Sequence, residues 1–474
     1  EIDQIEILQS LIEKIPLRTL KPFGDRFYYV KPILKALNEL KREGVAEAQF
    51  AKIIFNEKKL LNRRRQIKKE QLAAERRFKK HQELAKIYFA YQKELARRRR
   101  YDYNDMIVEV LAALRKNKNL LRSLQEEYQY FLIDEHQDTN NAQNKILDLL
   151  CGFHASPNIF VVGDEKQAIF RFQGASMENF LYWQARYPEA TIVVLRENYR
   201  SSQPLLDAAH SLLAGPTLLR ANRLAAGPRL ALWACGQPEI EYQSLALAIK
   251  NQLARGVPAQ EIAVFYRENR DAFPLAEVLA KKNIPFTIES EGDALRQPFV
   301  QKLLVLLEAV VRFGRPETLI PALHLDFLSV EPLTLYQLTA EADRRRCSPW
   351  QVFQSAPNWQ SLYRKFAAWT ALARNDQAGR ALEIIIEESG LLKAALATDY
   401  AAESLAGLAG IFRQLEVFLR QYRDRRLSDF FEQLQLLLRH EIRVSQKPLF
   451  ENNEAVRLMT AHKAKGLEFD YVYI

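Results

Sequence analysis

The chain alternates short apolar runs with longer stretches in which apolar residues recur every three or four positions. From Tyr130 to Ile133, Ile159 to Val162, Thr191 to Leu195, Ile262 to Tyr266, Val456 to Thr460 and Tyr471 to Ile474 the residues are continuously or almost continuously apolar. Such short runs, spaced by amphipathic stretches of helical length, predict parallel strands covered by helices on both faces. Between about Gln297 and Ser445 the alternation stops. Leu, Ala, Glu and Arg dominate there, and Val300 to Val311 and Leu427 to Leu438 carry helical periodicity, so this interval predicts an all-helical block. Strand-like runs resume after it. A helical block flanked by strands predicts an insertion into an α/β domain whose sheet the returning chain completes.

The segment Lys58 to Arg100 has neither Gly nor Pro and is rich in strong helix formers, which predicts a long helix or a helical pair. Leu84, Ile87, Tyr88 and Tyr91 supply one stripe to bury. The other faces are cationic: the segment holds 17 Lys and Arg against 4 Glu, more than the whole chain's net charge of +10, so the remainder is slightly acidic. An isolated basic run is ordinarily a solvated face. Arg97, Arg98, Arg99 and Arg100, with Lys79 and Lys80, can instead neutralise phosphates, giving salt-dependent affinity without sequence preference.

Composition narrows the classes further. At roughly 150 residues per domain, 474 residues accommodate about three domains. The longest apolar stretches fall well short of the ~18 residues a membrane span needs. Cys151, Cys235 and Cys347 lie too far apart for a paired-thiol zinc site or a stapled secreted scaffold, which points to a reducing, cytoplasmic setting.

Four strings carry candidate chemistry. Phe131-Leu132-Ile133 runs into Asp134-Glu135-His136-Gln137-Asp138-Thr139-Asn140, an apolar strand that delivers two adjacent carboxylates to the carboxyl edge of a parallel sheet. One carboxylate there can hold Mg²⁺ while its neighbour activates a water against a γ-phosphate. An Asp-Glu pair alone is an ordinary polar turn; the extended string is far more specific. Ile159 to Val162 similarly ends in Gly163-Asp164-Glu165-Lys166-Gln167, followed by Phe170, Phe172 and Gln173. Gln167 can bridge to a reacting phosphate and Phe172 can stack on a base, although an aromatic after a strand is more commonly core. In Leu195-Arg196-Glu197-Asn198-Tyr199-Arg200-Ser201, Arg200 can supply charge to phosphoryl transfer and Tyr199 can stack on a purine. The last string, Val456 to Phe469, brings Thr460, His462, Lys463, Lys465, Gly466 and Glu468 together after a strand.

In this order the four strings resemble the motifs of the UvrD, Rep and PcrA family of superfamily 1 DNA helicases, over nearly the whole chain. Tyr101-Asp102-Tyr103-Asn104-Asp105 and Ala263 to Arg267 resemble two further segments of that family. The resemblance implies an α/β fold of two RecA-like parallel-sheet motor domains, both incomplete, with two mainly helical insertions. Residues 1–100 then form the basic insertion of the first motor domain, 101–190 its C-terminal part, 191–296 the first part of the second motor domain, 297–445 its insertion, and 446–474 the truncated return. It implies an ATP-dependent helicase or translocase that moves 3′ to 5′ on single-stranded DNA and acts at junctions with duplex, with ATP and Mg²⁺ as cofactors and DNA-repair proteins as possible partners.

Carried over by position, Asp134 becomes the Mg²⁺-side carboxylate, Glu135 the activator of water and Gln167 the γ-phosphate sensor. Tyr199 would stack on adenine, Arg200 would contact the γ-phosphate, and Gly466 and Glu468 would approach the nucleotide. Phe172, Thr460 and His462 would contact single-stranded DNA. Phe172 stands where the family often has Trp, and Gln173 where it often has Arg. No Gly in the chain is followed by Lys, so the family's phosphate-cradling loop is missing, as is its arginine-bearing sixth motif. Truncation at both ends is the expected explanation, and with it a fragment inactive by itself. Two alternatives remain open: a helicase-nuclease of the RecB and AddA type, and a non-catalytic DNA-binding paralogue.

Overall fold

The computed structural model describes residues 2–63, 68–154, 156–169, 177–212, 219–222, 230–268, 271–289, 292–398, 400–422, 424–447 and 454–474, without the side chains of 60–63, 68–72, 165 and 177–181. They form two compact units, Asp3–Pro238 and Glu239–Ile474.

The first unit is built mainly from helices. The basic segment is a helical pair, with Glu47–Arg63 packed on Lys68–Arg97. The expected stripe is the one buried: Ile87, Tyr88 and Tyr91 are inaccessible, Leu95 extends the row, and Leu84 is half-buried. The neighbouring helices Val30–Arg42 and Tyr103–Lys116 pack on each other and bury Ile33, Leu37, Leu111 and Leu114.

Two buried charges hold this helical region together. Lys41, at the end of Val30–Arg42, lies 2.6 Å from both Asp102 and Asp105, over the ring of Tyr91. Asp102 and Asp105 also cap each other's backbone at the start of the helix Tyr103–Lys116, and Gln92 and Gln4 donate to the remaining oxygens. The second charge is Glu83, buried on the long basic helix, whose carboxylate accepts the backbone N–H groups of Arg18, Thr19 and Leu20 in four bonds of 2.8–3.1 Å. A carboxylate matches such a row of donors because it offers only acceptors. Glu83→Gln turns one oxygen into a competing donor while keeping the volume, and is expected to cost about 1–3 kcal/mol in urea unfolding.

After the helices, strands β1 (Tyr130–Ile133) and β2 (Asn158–Val161) pair in parallel. Their carboxyl ends are extended by Val162 N–H donating to Ile133 O and His136 N–H to Val162 O. Here two sequence expectations need correction. Among the described residues only one face of this pair is covered, since Tyr130, Leu132 and Phe160 on the other face are exposed. The run Thr191 to Leu195 is exposed and, among the described residues, carries no ladder. A strand is formed by a partner's backbone, which a single run cannot specify. The ladder begins just beyond it, where β3 (Glu197–Asn198) pairs in parallel with β4 (Arg220–Ala221).

The second unit has a four-stranded, all-parallel sheet. Its strands are β5 (Ile262–Tyr266), β6 (Phe286–Ile288), β9 (Val456–Thr460) and β10 (Tyr471–Tyr473), in the order β10-β5-β9-β6. Ile262, Val264, Val456 and Leu458 are buried against Leu275, Leu279 and Ile249 of the flanking helices, as continuous apolar runs require. Between β6 and β9 the chain departs through β7 (Gly292–Asp293) and returns through β8 (Ser445–Gln446), which pair antiparallel. Asp293 closes this neck, its carboxylate accepting from Leu295 N–H and Val444 N–H at 3.2 and 3.1 Å. Among the described residues the chain between β7 and β8 forms helices joined by turns, around a core that includes Leu303, Leu307, Phe353, Phe366, Trp369, Ile385, Phe430 and Phe431. The helices Pro298–Val311 and Leu427–Arg439 cover the two periodic stretches noted in the sequence.

Candidate functional site

Asp134 and Glu135 follow β1 directly, at the carboxyl edge of the β1/β2 pair, and both are exposed. Glu135 has φ 49°, in the left-handed region, a conformation that costs roughly 1–2 kcal/mol for a residue with a Cβ. The neighbouring strand enforces it: His136 N–H must reach Val162 O while Glu135 N–H donates to the Asp134 carboxylate at 2.8 Å. Sparsely populated backbone at the end of a strand is a recurrent feature of functional sites.

Beneath the two acids the turn is packed rather than solvated. His136 and Gln137 are buried, and His136 Nε2 lies 3.0 Å from Asn144 Oδ1. Burial holds the His136 imidazole below the usual histidine range, with the Asn144 bond opposing it, so the ring stays neutral near pH 7.

Gln137 connects the two strand ends. Its amide N–H donates to the Glu135 carboxylate, and its carbonyl oxygen accepts Asp164 N–H at 3.0 Å. Asp164 accepts in turn from the Gln167 side chain at 2.9 Å. A continuous chain of hydrogen bonds therefore runs Glu135, Gln137, Asp164, Gln167 across the edge of the parallel pair. The sequence points to the two ends of this chain but not to its two links. Gln137 and Asp164 stand inside the motif strings, and only the pairing of β1 with β2 shows that they meet.

The remaining candidates stand on other elements. Tyr199 and Arg200 follow β3 and are exposed, on a turn made by the Asn198 side chain accepting from Arg200 N–H and Ser201 N–H at 3.0 and 2.7 Å. Thr460 ends β9 and His462 lies in the short exposed helix Ala461–Ala464 that follows, so both emerge at the carboxyl edge of the four-stranded sheet. Gly466, at φ +85°, turns the chain towards the exposed Glu468 and back into β10. Phe172, with its neighbour Gln173, lies outside the described residues.

At the end of the basic helix the arginines are partly neutralised. Arg97 and Arg98 both bond Glu94, at 2.6–2.8 Å, and Arg100 bonds Asp3 at 2.8 Å. The side-chain bonds from Arg97 and Arg98 pull the Glu94 carboxyl down to about 2. Two carboxylates thus accompany the four guanidinium groups, which leaves an excess of two positive charges.

No cluster of three His, Cys, Asp or Glu side chains occurs among the described residues, so no all-protein metal cage is present there. Mg²⁺ characteristically takes one or two carboxylates and completes its shell with water and substrate phosphates, and Asp134 at an exposed sheet edge fits that mode.

These features define an α/β protein with small parallel sheets whose strands deliver acidic and amide side chains to their carboxyl edges, as nucleotide-handling proteins of this architecture do. Residues 6–188 match the UvrD/REP helicase N-terminal domain, and residues 193–344 and 351–474 match the UvrD-like helicase C-terminal domain. The chain belongs to the UvrD/Rep/PcrA family of superfamily 1 helicases. It is 24% identical over 417 residues to the ATP-dependent DNA helicase Rep of Buchnera aphidicola, covering 83% of this chain and 63% of that protein. To the ATP-dependent DNA helicase PcrA of Staphylococcus aureus it is 26% identical over 420 residues, covering 83% of this chain and 55% of that protein. PcrA of Staphylococcus epidermidis is 26% identical over 413 residues. The chain thus spans 55–63% of the length of these curated relatives. Among the described residues no helix is long and apolar enough to cross a membrane.

Proposed function

We propose that this chain is part of an ATP-dependent DNA helicase that couples ATP hydrolysis to 3′ to 5′ movement along single-stranded DNA and opens duplex at junctions. The observation that carries this reading is the hydrogen-bonded chain from Glu135 through Gln137 and Asp164 to Gln167. It ties a carboxylate suited to activating water to an amide suited to sensing a γ-phosphate.

In this reading Asp134 holds Mg²⁺, which when bound neutralises phosphate charge. Glu135 accepts the proton of the attacking water. Gln137 orients Glu135 and, through Asp164, keeps it in register with Gln167, which responds to the γ-phosphate. Tyr199 stacks on adenine, Arg200 offers charge to the γ-phosphate, and Gly466 and Glu468 approach the nucleotide. Phe172, Thr460 and His462 contact the DNA strand. In the same reading 1–100 and 297–445 are insertions into the first and second motor domains, and the antiparallel neck formed by β7 and β8 supports the second of these.

The basic helix supplies sequence-independent DNA affinity in this scheme, with Arg97, Arg98, Arg99 and Arg100 at its end. Reversing these four charges is expected to weaken single-strand binding and to flatten its salt dependence by about 0.7 in log–log slope for each phosphate no longer neutralised. Fluorescence anisotropy across a salt titration reads both. Unchanged affinity and slope would remove these arginines from the interface. The decisive test of the whole reading is DNA-stimulated ATP hydrolysis and strand separation by the full-length protein.

A further inference from the structure

The loop between the helices Ile2–Lys14 and Val30–Arg42 presents aromatic rings to solvent in a way its own packing does not explain. Phe23 is 105% exposed and Tyr28 64% exposed, next to Gly24 and the exposed Arg26. Exposed aromatics are usually found on loose segments, but this loop is anchored at several points. Glu83 grips its start through the N–H groups of Arg18, Thr19 and Leu20. Asp25 caps Phe27 N–H at 2.9 Å, and Tyr29 lies under the Lys80 ammonium, 4.9 Å from ring centre to nitrogen. Both anchors, Lys80 and Glu83, belong to the basic helix. On that helix Arg76, Lys79, Lys80 and Glu83 share one edge by their spacings of three and four. The loop is therefore an ordered aromatic tip seated against a cationic helix edge.

We propose that this loop is a contact for unpaired DNA: Phe23 and Tyr28 stack on exposed bases while Arg26 and the Arg76–Lys80 edge neutralise the adjoining phosphates. The occupant follows from charge and shape. A row of cations beside solvent-facing rings matches a polyanion whose aromatic faces are accessible, and those faces are accessible only in a single strand. Clamping by Glu83 lowers the ordering cost that a free loop would incur on binding. The proposal rests on the DNA-binding reading above and adds a site to it in the helical region.

The test measures binding of the whole chain to fluorescein-labelled oligo(dT) and to a blunt duplex by anisotropy, at low and moderate salt. Phe23→Ala and Tyr28→Ala are each expected to weaken oligo(dT) binding about 5- to 10-fold, the lower range for loss of one base–aromatic stack, with duplex binding unchanged. Phe23→Trp should restore it. Arg26→Gln should weaken both ligands modestly and reduce the salt slope. Since Phe23 is fully exposed, its removal takes nothing from the fold, and an unchanged urea midpoint verifies that. If the unaltered chain binds oligo(dT) and both alanine variants bind it equally well, the loop is not a contact. Equal losses on oligo(dT) and duplex would overturn the stacking role. If the unaltered chain binds no DNA under any of these conditions, the functional reading falls and this proposal with it.

Discussion

Glu135→Gln in the full-length protein is expected to lower DNA-stimulated ATP turnover by about 10²- to 10⁴-fold while ATP and DNA binding stay close to normal. The change preserves shape and the possibility of a bond to Gln137, but removes the group that can take a proton from water. Binding and chemistry should therefore separate: kcat falls, while nucleotide affinity, read by fluorescent-analogue titration, is retained. Gln137→Ala provides the contrast. It leaves the Glu135 carboxylate in place but cuts its bond and the link to Asp164, so an intermediate loss is expected. If Glu135→Gln turned over at a near-normal rate, the base would have to be sought elsewhere, and the strained backbone at Glu135 would need another explanation.

The second large effect is structural. Lys41→Met is expected to cost about 3–5 kcal/mol, because it leaves the Asp102 and Asp105 carboxylates without their buried cation. Met keeps most of the aliphatic volume against Tyr91, so the loss reports charge rather than packing. Hydrogen exchange localises the result: amides of Val30–Arg42 and Tyr103–Lys116 should lose protection, while those of the helical block between β7 and β8 should not. The pH dependence follows from Asp105. Burial acts to raise its pKa, but the Asp102 backbone, Lys41 and Gln92 together hold the carboxyl below the ordinary range. A carboxylate whose folded value is depressed contributes stability above its unfolded pKa of about 3.9, and this is lost as pH falls through the folded value. The gap between Lys41→Met and the unaltered chain should thus be full near pH 7 and narrow below about pH 4. A gap independent of pH would mean that packing, not charge, explains the cost.

Several elements were legible in the sequence because one local property sufficed to specify them. The strands Ile262–Tyr266 and Val456–Thr460 are short apolar runs that lie buried, and the helical block between β7 and β8 declared itself by its periodicity. The stripe Ile87, Tyr88 and Tyr91 was readable for the same reason. Other elements were not. The run Thr191 to Leu195 has the composition of a strand but no ladder among the described residues, whereas Phe286–Ile288 is too short to stand out and pairs with β9. Composition describes a surface, and pairing depends on a partner distant in sequence.

The same division runs through the candidate site. By itself the sequence determined the family, the presence of Asp134, Glu135 and Gln167 at strand ends, and the concentration of positive charge on one helical segment. Only the tertiary structure decided that Gln137 and Asp164 join Glu135 to Gln167, since that link requires two strands about thirty residues apart to lie side by side. It also decided that Asp3 compensates Arg100, 97 residues away in the chain, whereas the bonds from Arg97 and Arg98 to Glu94 follow from spacings of three and four at the end of one helix. Lys41 and Glu83, unremarkable in a charged composition, became buried anchors only when three helices and a loop closed around them. Chemistry carried by adjacent residues is written in the chain, whereas chemistry made by residues from separate elements exists only once packing has removed the water between them.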